Sequence, residues 1–126
     1  MGGPTINFER AQTYVEIRDV NFSSLTYAVR EMSGVAVKNF LRSRPWLTYS
    51  WKDYEMALQL AAELGKLDVV KVFVGKKTNI HAEDERALRW AAENNHPDVV
   101  NYLVQQGADV RALFPSVREK FGLNKK

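Results

Sequence analysis

Two stretches of this chain carry nearly the same sequence, thirty residues apart. Residues 57–82 and 87–112 align without a gap and share ten identical positions, among them an Ala-Ala-Glu triplet that begins at Ala61 and again at Ala91. A fixed period of this length is typical of solenoid proteins, in which each structural unit packs only against its neighbours. The repeat therefore predicts a stack of similar layers.

Each unit has the pattern of two short helices. The first helix is predicted over 55–63 and again over 85–93, and the second over 67–76 and again over 97–106. The second helix places its apolar residues at i, i+1, i+4 and i+5, which forms one helical face. A two-helix unit of this size cannot bury that face alone and needs neighbouring units.

Three units and a cap account for most of the chain. A shift of 33 residues aligns 24–47 with the next unit through its apolar positions, which identifies a first unit with a weaker pattern. The predicted organisation is an N-terminal extension or cap over 1–23, repeats over 24–53, 54–83 and 84–113, and a C-terminal cap and tail over 114–126.

The predicted core consists of the equivalent apolar positions of these units. Its members are Leu25, Ala28, Val37, Phe40, Leu41, Leu58, Leu60, Ala61, Val70, Phe73, Leu88, Trp90, Ala91, Val100, Leu103 and Val104.

The composition argues against several kinds of site. The 126 residues include no cysteine, which excludes disulfides, thiolate metal sites and a thiol nucleophile. The two histidines, His81 and His96, are distant in sequence and do not form a zinc pattern. No serine lies in a nucleophile elbow and no glycines form a phosphate-binding loop. We therefore expect no catalysis, no metal and no cofactor, and the absence of a signal-peptide pattern favours a cytoplasmic protein.

The two clear units resemble the ankyrin repeat. The stretch "ALRWAAENNHPDVVNYLVQQGADV" over 87–110 carries that family's Ala-Ala pair, the histidine before its second helix, its acidic-Val-Val segment and its Gly-Ala-Asp exit. The preceding unit carries most of the same pattern, and the resemblance spans about 24–113. It departs where the family has Thr-Pro before the first helix, because Met56-Ala57 and Arg86-Ala87 stand there.

The spacing of 30 residues is shorter than the usual ankyrin period of about 33. The alignment places the missing residues in "HAEDER", residues 81–86, where we expect a clipped hairpin tip. Such shortened repeats are similar to those of large DNA viruses and some bacterial effectors.

The resemblance implies an all-α, ankyrin-like helix-turn-helix stack with short hairpin loops, which serves as a non-catalytic protein–protein interaction module. Members of the family recognise partners with the hairpin tips and the exposed side of each first helix, which together line a concave surface. Carried onto this sequence, the candidate partner-binding residues are Trp51, Lys52, Tyr54, Asp84 and Glu85 at the tips, and Arg30, Glu31, Glu63, Leu64, Glu93 and Asn94 at the ends of the first helices.

These candidates also have structural explanations. Asp84 and Glu85 lie near a helix N-terminus, where acidic residues complement the helix dipole. The aromatic cluster that includes Trp46, Trp51 and Tyr54 can either cover the core or bind a partner. If the acidic candidates Glu63, Asp84, Glu85 and Glu93 of this concave surface bind a partner, that partner has a basic surface. With the viral type of repeat, this suggests a small viral or parasite-derived inhibitor or adaptor in the host cytoplasm.

A nucleic-acid-binding protein is the alternative function. Arg42, Arg44, Lys76 and Lys77 lie at the ends of second helices, where they could form a basic convex ridge or simply complement the helix dipoles. The net charge of +3 is a weak bias toward such a role. Salt dependence separates the two functions, because phosphate-driven binding weakens steeply with salt. The oligomeric state, monomer or homodimer, also stays open.

Overall fold

Helices are the main regular elements of the described part of the chain. The computed structural model describes residues 24–43 and 49–123, and these residues contain no strand. The predicted all-α fold is confirmed, whereas the predictions for 1–23, Arg44 and Trp46 lie outside the described residues. The helices are α1 over 24–31, α2 Gly34–Arg42, α3 Trp51–Leu64, α4 Leu67–Gly75, α5 Ala82–Glu93, α6 Pro97–Gln105 and α7 Pro115–Lys120, with a 3₁₀ turn at Val110–Ala112.

The helices pair into layers that stack side by side. Each of the pairs α1/α2, α3/α4 and α5/α6 forms one layer, and α7 follows as the beginning of another. Helix α3 packs against α5, while α2 packs against α4 and α4 against α6. The first helices of the layers therefore form one row and the second helices form another.

All three layers bury the same helical positions. The core residues at equivalent positions of the first helices are Leu25, Leu58 and Leu88, then Ala28, Ala61 and Ala91, then Val29, Ala62 and Ala92, and each is at most 5% exposed. The 33-residue shift that aligned the first unit is therefore correct. Small alanines at these positions let neighbouring first helices approach closely. The core between them can then reach the close packing that is usual in protein interiors.

Most of the predicted core is confirmed. Phe40, Leu41, Leu60 and Val104 are partly buried and pack against it. Trp90 is only partly buried, and the guanidinium of Arg86 lies 5.1 Å from the centre of its ring, so the prediction of Trp90 as a core residue is wrong. The fully buried predicted residues are Leu25, Ala28, Val37, Leu58, Ala61, Val70, Phe73, Leu88, Ala91, Val100 and Leu103.

Local signals set the ends of α3. The Ser50 side chain accepts a hydrogen bond from the Asp53 N–H at 3.1 Å, and the Asp53 carboxylate accepts one from the Ser50 N–H at 3.0 Å. This capping box satisfies two free N–H groups and starts the helix earlier than the predicted residue 55. The helix ends at Gly65, which adopts a left-handed conformation with φ +76°.

Polar side chains tie the end of each first helix to the next layer. The Lys66 ammonium donates hydrogen bonds to the carbonyl oxygens of Val29, Arg30 and Met32, at 2.7, 2.9 and 2.8 Å. In the following layer His96 occupies the position equivalent to Lys66, and its Nε2 lies 2.9 Å from the Glu63 carbonyl oxygen. Both side chains satisfy carbonyl groups that a helix C-terminus leaves free, so His96 has a structural role.

The shortened segment of the chain forms a left-handed turn. Glu83, Asp84 and Glu85 have φ values of 57°, 62° and 61°, so regular right-handed helix begins only after them. Such a conformation costs about 1–2 kcal/mol per non-glycine residue. Arg89 offsets part of this cost, because its Nε donates to the Asp84 carbonyl at 2.9 Å and its Nη2 to the Glu83 carbonyl at 3.0 Å.

Replacement of Val70 by Asp should unfold the stack. Val70 is 0% exposed, so the new carboxylate would lie between layers without a partner. We expect a loss of at least about 4 kcal/mol in the free energy of unfolding, measured by thermal and urea unfolding followed by circular dichroism. Val35→Asp is the control, because Val35 is 73% exposed near the start of α2. Equal melting temperatures for the two variants would contradict the layered core.

Replacement of Gly65 by Ala tests how closely the layers approach. A Cβ at Gly65 would lie 2.4 Å from Nδ1 of His96, whereas one at Gly107 would meet nothing within 4 Å. Both glycines have positive φ, so both variants carry backbone strain of about 1 kcal/mol. We expect Gly65→Ala to lose about 2 kcal/mol more than Gly107→Ala in urea unfolding, because the imidazole must move. Similar losses would show that the ring is not held there.

Candidate protein-interaction surface

The exposed side of α1, α3 and α5 is the surface that the buried register leaves free. We call it the first-helix face. It presents four rows of equivalent positions, because the three helices share one register. The rows are Tyr27, Leu60 and Trp90, then Arg30, Glu63 and Glu93, then Glu31, Leu64 and Asn94, with Met56 and Arg86 in the row one turn earlier.

The centre of the first-helix face is apolar. Met56 and Leu64 on α3 are 50% and 42% exposed, and Tyr27 on α1 is 61% exposed. Leu60 lies one helical turn from both Met56 and Leu64, and Trp90 occupies its equivalent position on α5. We call these five residues the apolar patch. A group of exposed apolar side chains on neighbouring helices is typical of interaction sites on soluble proteins.

Charged side chains border the apolar patch. Glu63 and Glu93 lie three residues after Leu60 and Trp90, where Glu93 is exposed and Glu63 is partly exposed. The equivalent residue of α1 is Arg30, so the row changes sign at the first layer. Asn94 also has a structural role, because its side-chain amide donates to the Trp90 carbonyl oxygen at 2.9 Å.

A cation lies over the aromatic ring at the α5 end of the patch. The Arg86 guanidinium is 5.1 Å from the centre of the Trp90 ring and 3.8 Å from the Glu83 carboxylate. Stacking of this kind contributes about 0.5–1 kcal/mol at an exposed site. The indole therefore has a defined environment while part of its surface stays open to a partner.

The aromatic residues at the start of α3 divide into two groups. Tyr54 packs edge-on against Phe73 with ring centres 5.6 Å apart and lies 6.1 Å from Tyr49, and its burial raises the pKa of its phenol. Trp51 is 69% exposed, and the Lys52 ammonium lies 5.6 Å from its ring. The three predicted tip residues thus lie in the first turn of a helix, and Tyr54 packs against the core.

The two predicted acidic tip residues also differ in exposure. Asp84 is exposed in the left-handed turn, but Glu85 is 7% exposed and one of its carboxylate oxygens lies 2.5 Å from Nδ1 of His81. The prediction of Glu85 as a tip residue that contacts a partner is therefore not supported. The reason is the positive φ at 83–85, which turns this side chain toward the protein.

An exposed ion pair between Arg111 and Asp109 marks the turn before α7. The Arg111 side chain donates three hydrogen bonds to the carboxylate oxygens of Asp109, at 2.9, 3.2 and 2.8 Å, and its backbone N–H donates a fourth at 2.9 Å. The side-chain bonds first, and then the backbone bond, lower the pKa of Asp109 from 3.8 to about 2. Asp109 is therefore ionised at neutral pH, and its charge is balanced by the Arg111 guanidinium.

Other classes of site have little support among the residues that the structure describes. Within 24–43 and 49–123, no three His, Asp or Glu side chains are placed to hold a metal ion together. No helix in that part of the chain combines the length and the apolar character needed to cross a bilayer. Arg42, Lys76 and Lys77 are exposed near the ends of α2 and α4, where dipole complementarity explains them.

Layers of paired helices with a varied, exposed first-helix face define a helical repeat protein. Comparison with known proteins identifies the family of these repeats. The family model for ankyrin repeats in three copies matches residues 19–113. This chain belongs to the ankyrin repeat family, whose repeats form protein-interaction modules.

The similarity to curated relatives is confined to a small part of each relative's length. Ankyrin repeat domain-containing protein 40 of Mus musculus is 36% identical over 66 residues, which cover 49% of this chain and 18% of that protein. A putative ankyrin repeat protein of Acanthamoeba polyphaga mimivirus is 32% identical over 97 residues, covering 75% and 19%. The palmitoyltransferase akr1 of Schizosaccharomyces pombe is 41% identical over 61 residues, covering 45% and 10%.

The chain thus spans less than a fifth of the length of these relatives. No solved structure matches it.

Replacement of Arg111 by Gln should raise the pKa of Asp109. Loss of the three side-chain hydrogen bonds should move this pKa from about 2 toward 3.8. Carbon-detected NMR titration of the aspartate carboxyl groups between pH 1.5 and about 6 measures the change. Arg42→Gln, which removes an exposed charge from α2, is the control and should leave Asp109 at about 2. An unchanged value in Arg111→Gln would show that the ion pair does not form in solution.

Proposed function

We propose that this protein binds another protein stoichiometrically through the first-helix face, and that the bound partner has a basic surface. The partner covers the apolar patch and places its cationic residues beside Glu63 and Glu93. No step of chemistry is needed for this role, which agrees with the general use of ankyrin repeats for binding.

The position of the two glutamates is the observation that carries the proposal. Glu63 is the penultimate residue of α3 and Glu93 is the last residue of α5. A negative charge at a helix C-terminus faces the negative end of the dipole, which costs about 0.3–1 kcal/mol at an exposed site. Neither carboxylate has an ion pair among the described residues. A basic partner supplies a reason for acidic residues that helix stability disfavours.

The apolar patch supports the same conclusion. Met56 and Leu64 are 50% and 42% exposed, so they contribute little to the core. An interface combines such a desolvated apolar centre with a charged rim. The remaining predicted contacts flank this centre, with Arg30 and Glu31 beyond Tyr27 and Asn94 beyond Trp90. Trp51 and Lys52 extend the surface at the start of α3, and Asp84 extends it beyond α5.

The mimivirus relative and the short repeat spacing also suggest a biological role. The mimivirus relative covers 75% of this chain, more than the other two relatives named above. The 30-residue spacing of this chain also resembles the shortened repeats of large DNA viruses. We therefore propose that this protein is a viral or parasite-derived inhibitor or adaptor that occupies a host protein in the cytoplasm.

Charge reversal at Glu93 tests the proposal. Wild-type protein, Glu93→Lys and Glu119→Lys serve as bait in a lysate of the source or host cells, and the captured proteins are quantified by mass spectrometry. Both glutamates are exposed near helix C-termini, so a lysine suits both dipoles and neither variant should lose stability. We expect a specific partner to be reduced about tenfold on Glu93→Lys and unchanged on Glu119→Lys.

The same experiment separates protein from nucleic acid. A partner bound through apolar contacts should remain after nuclease treatment and at about 0.3 M salt, whereas phosphate-driven binding falls steeply over that range. Equal capture by all three baits would remove the first-helix face from the proposal. Loss of the captured material with nuclease would favour nucleic acid as the ligand.

A further inference from the structure

Two rows of side chains cross the first-helix face in parallel. The apolar row and the charged row occupy positions three residues apart on each first helix, which corresponds to a separation of about 4.5 Å along the helix axes. Neighbouring helices pack about 8–10 Å apart, so successive members of each row have that spacing. The apolar row is Tyr27, Leu60 and Trp90, and the charged row is Arg30, Glu63 and Glu93.

We propose that the partner presents an amphipathic α-helix, which lies across α1, α3 and α5 with an apolar stripe on the apolar row and a basic stripe beside Glu63 and Glu93. This inference rests on the proposed function, because it uses the same face. It adds the conformation of the partner segment and the order of its charges.

The two rows distinguish a helix from an extended strand. On a helix, residues three or four apart lie about 5–6 Å from each other, so an apolar and a basic stripe run side by side. Seven residues rise about 10.5 Å, which matches the spacing between neighbouring first helices. A strand shows one line of alternate side chains on each face. It could therefore follow the apolar row or the charged row, but not both.

The charged row also sets which end of the bound helix lies at α1. Glu63 and Glu93 require basic residues opposite α3 and α5, whereas Arg30 requires an acidic or neutral residue opposite α1. The apolar surface is broadest at the middle of the row, where Met56 and Leu64 flank Leu60. The largest apolar anchor of the partner therefore belongs at the centre of its stripe, where interfaces concentrate binding energy.

Three synthetic peptides of three heptads test the proposal. The first places large apolar residues seven apart, with lysines three or four positions away in two heptads. The second has the same composition with apolar and polar residues alternating, as an extended strand requires. The third is the first peptide with glutamates in place of the lysines. Fluorescence anisotropy measures the Kd of each peptide, and far-ultraviolet circular dichroism measures the helix gained on mixing.

The first peptide should bind at least about tenfold more tightly than the second and should become helical on binding. The Glu63→Lys/Glu93→Lys variant should reverse the preference, losing about tenfold for the first peptide and gaining affinity for the third. Glu119→Lys is the matched control and should behave as wild type.

Equal binding of the first two peptides, a bound peptide without helix, or an unchanged preference in the double variant would each overturn the helical partner. In each of those cases, loss of a cellular partner on Glu93→Lys would still support binding through the first-helix face. The two proposals can therefore fail independently.

Discussion

Every layer of this protein depends on the close approach of its neighbour. Gly65 has no side chain, and the His96 ring of the next layer occupies the space that a Cβ would take. Across the other layer boundary, the Asp68 carboxylate accepts a hydrogen bond from the Gly34 N–H at 2.7 Å. Because these contacts join adjacent layers, the stability of each layer is shared with its neighbours, as in other repeat proteins. The buried register is therefore constrained, while the exposed positions of the first helices are not.

Sequence periodicity predicts the buried register because it reports the same constraint. The repeated Ala-Ala pair and the Val-Val pair fixed which helical faces meet, and the 33-residue shift found the first layer through Leu25 and Ala28. Periodicity alone did not predict the exposure of Trp90. The equivalent residue of the preceding layer, Leu60, packs against the core, whereas Trp90 is only partly buried and lies under the Arg86 guanidinium. A position at the edge of the buried face takes its exposure from its neighbours.

The sequence predicted the positions of the candidate residues better on the helices than at the loops. Arg89 donates hydrogen bonds to two carbonyl groups of the left-handed turn at Glu83–Glu85, and such a polar contact has no signal in a pattern of apolar positions. That turn buries Glu85, which a hairpin tip would expose. By contrast, Glu63 and Glu93 lie at regular helical positions, so the register placed them correctly. Met56 and Tyr27 were missed as surface residues, although the same register would have identified them.

The separation of buried and exposed positions decides what the relatives can say about function. A match of 41% over 61 residues to part of a palmitoyltransferase follows from the layers that both chains use. Such a match indicates the fold, because the buried register determines the fold. It does not indicate the binding partner, because the partner contacts the exposed rows. The acidic ends of α3 and α5, which the helix dipole disfavours and the core does not use, are therefore more informative about the ligand than the overall identity.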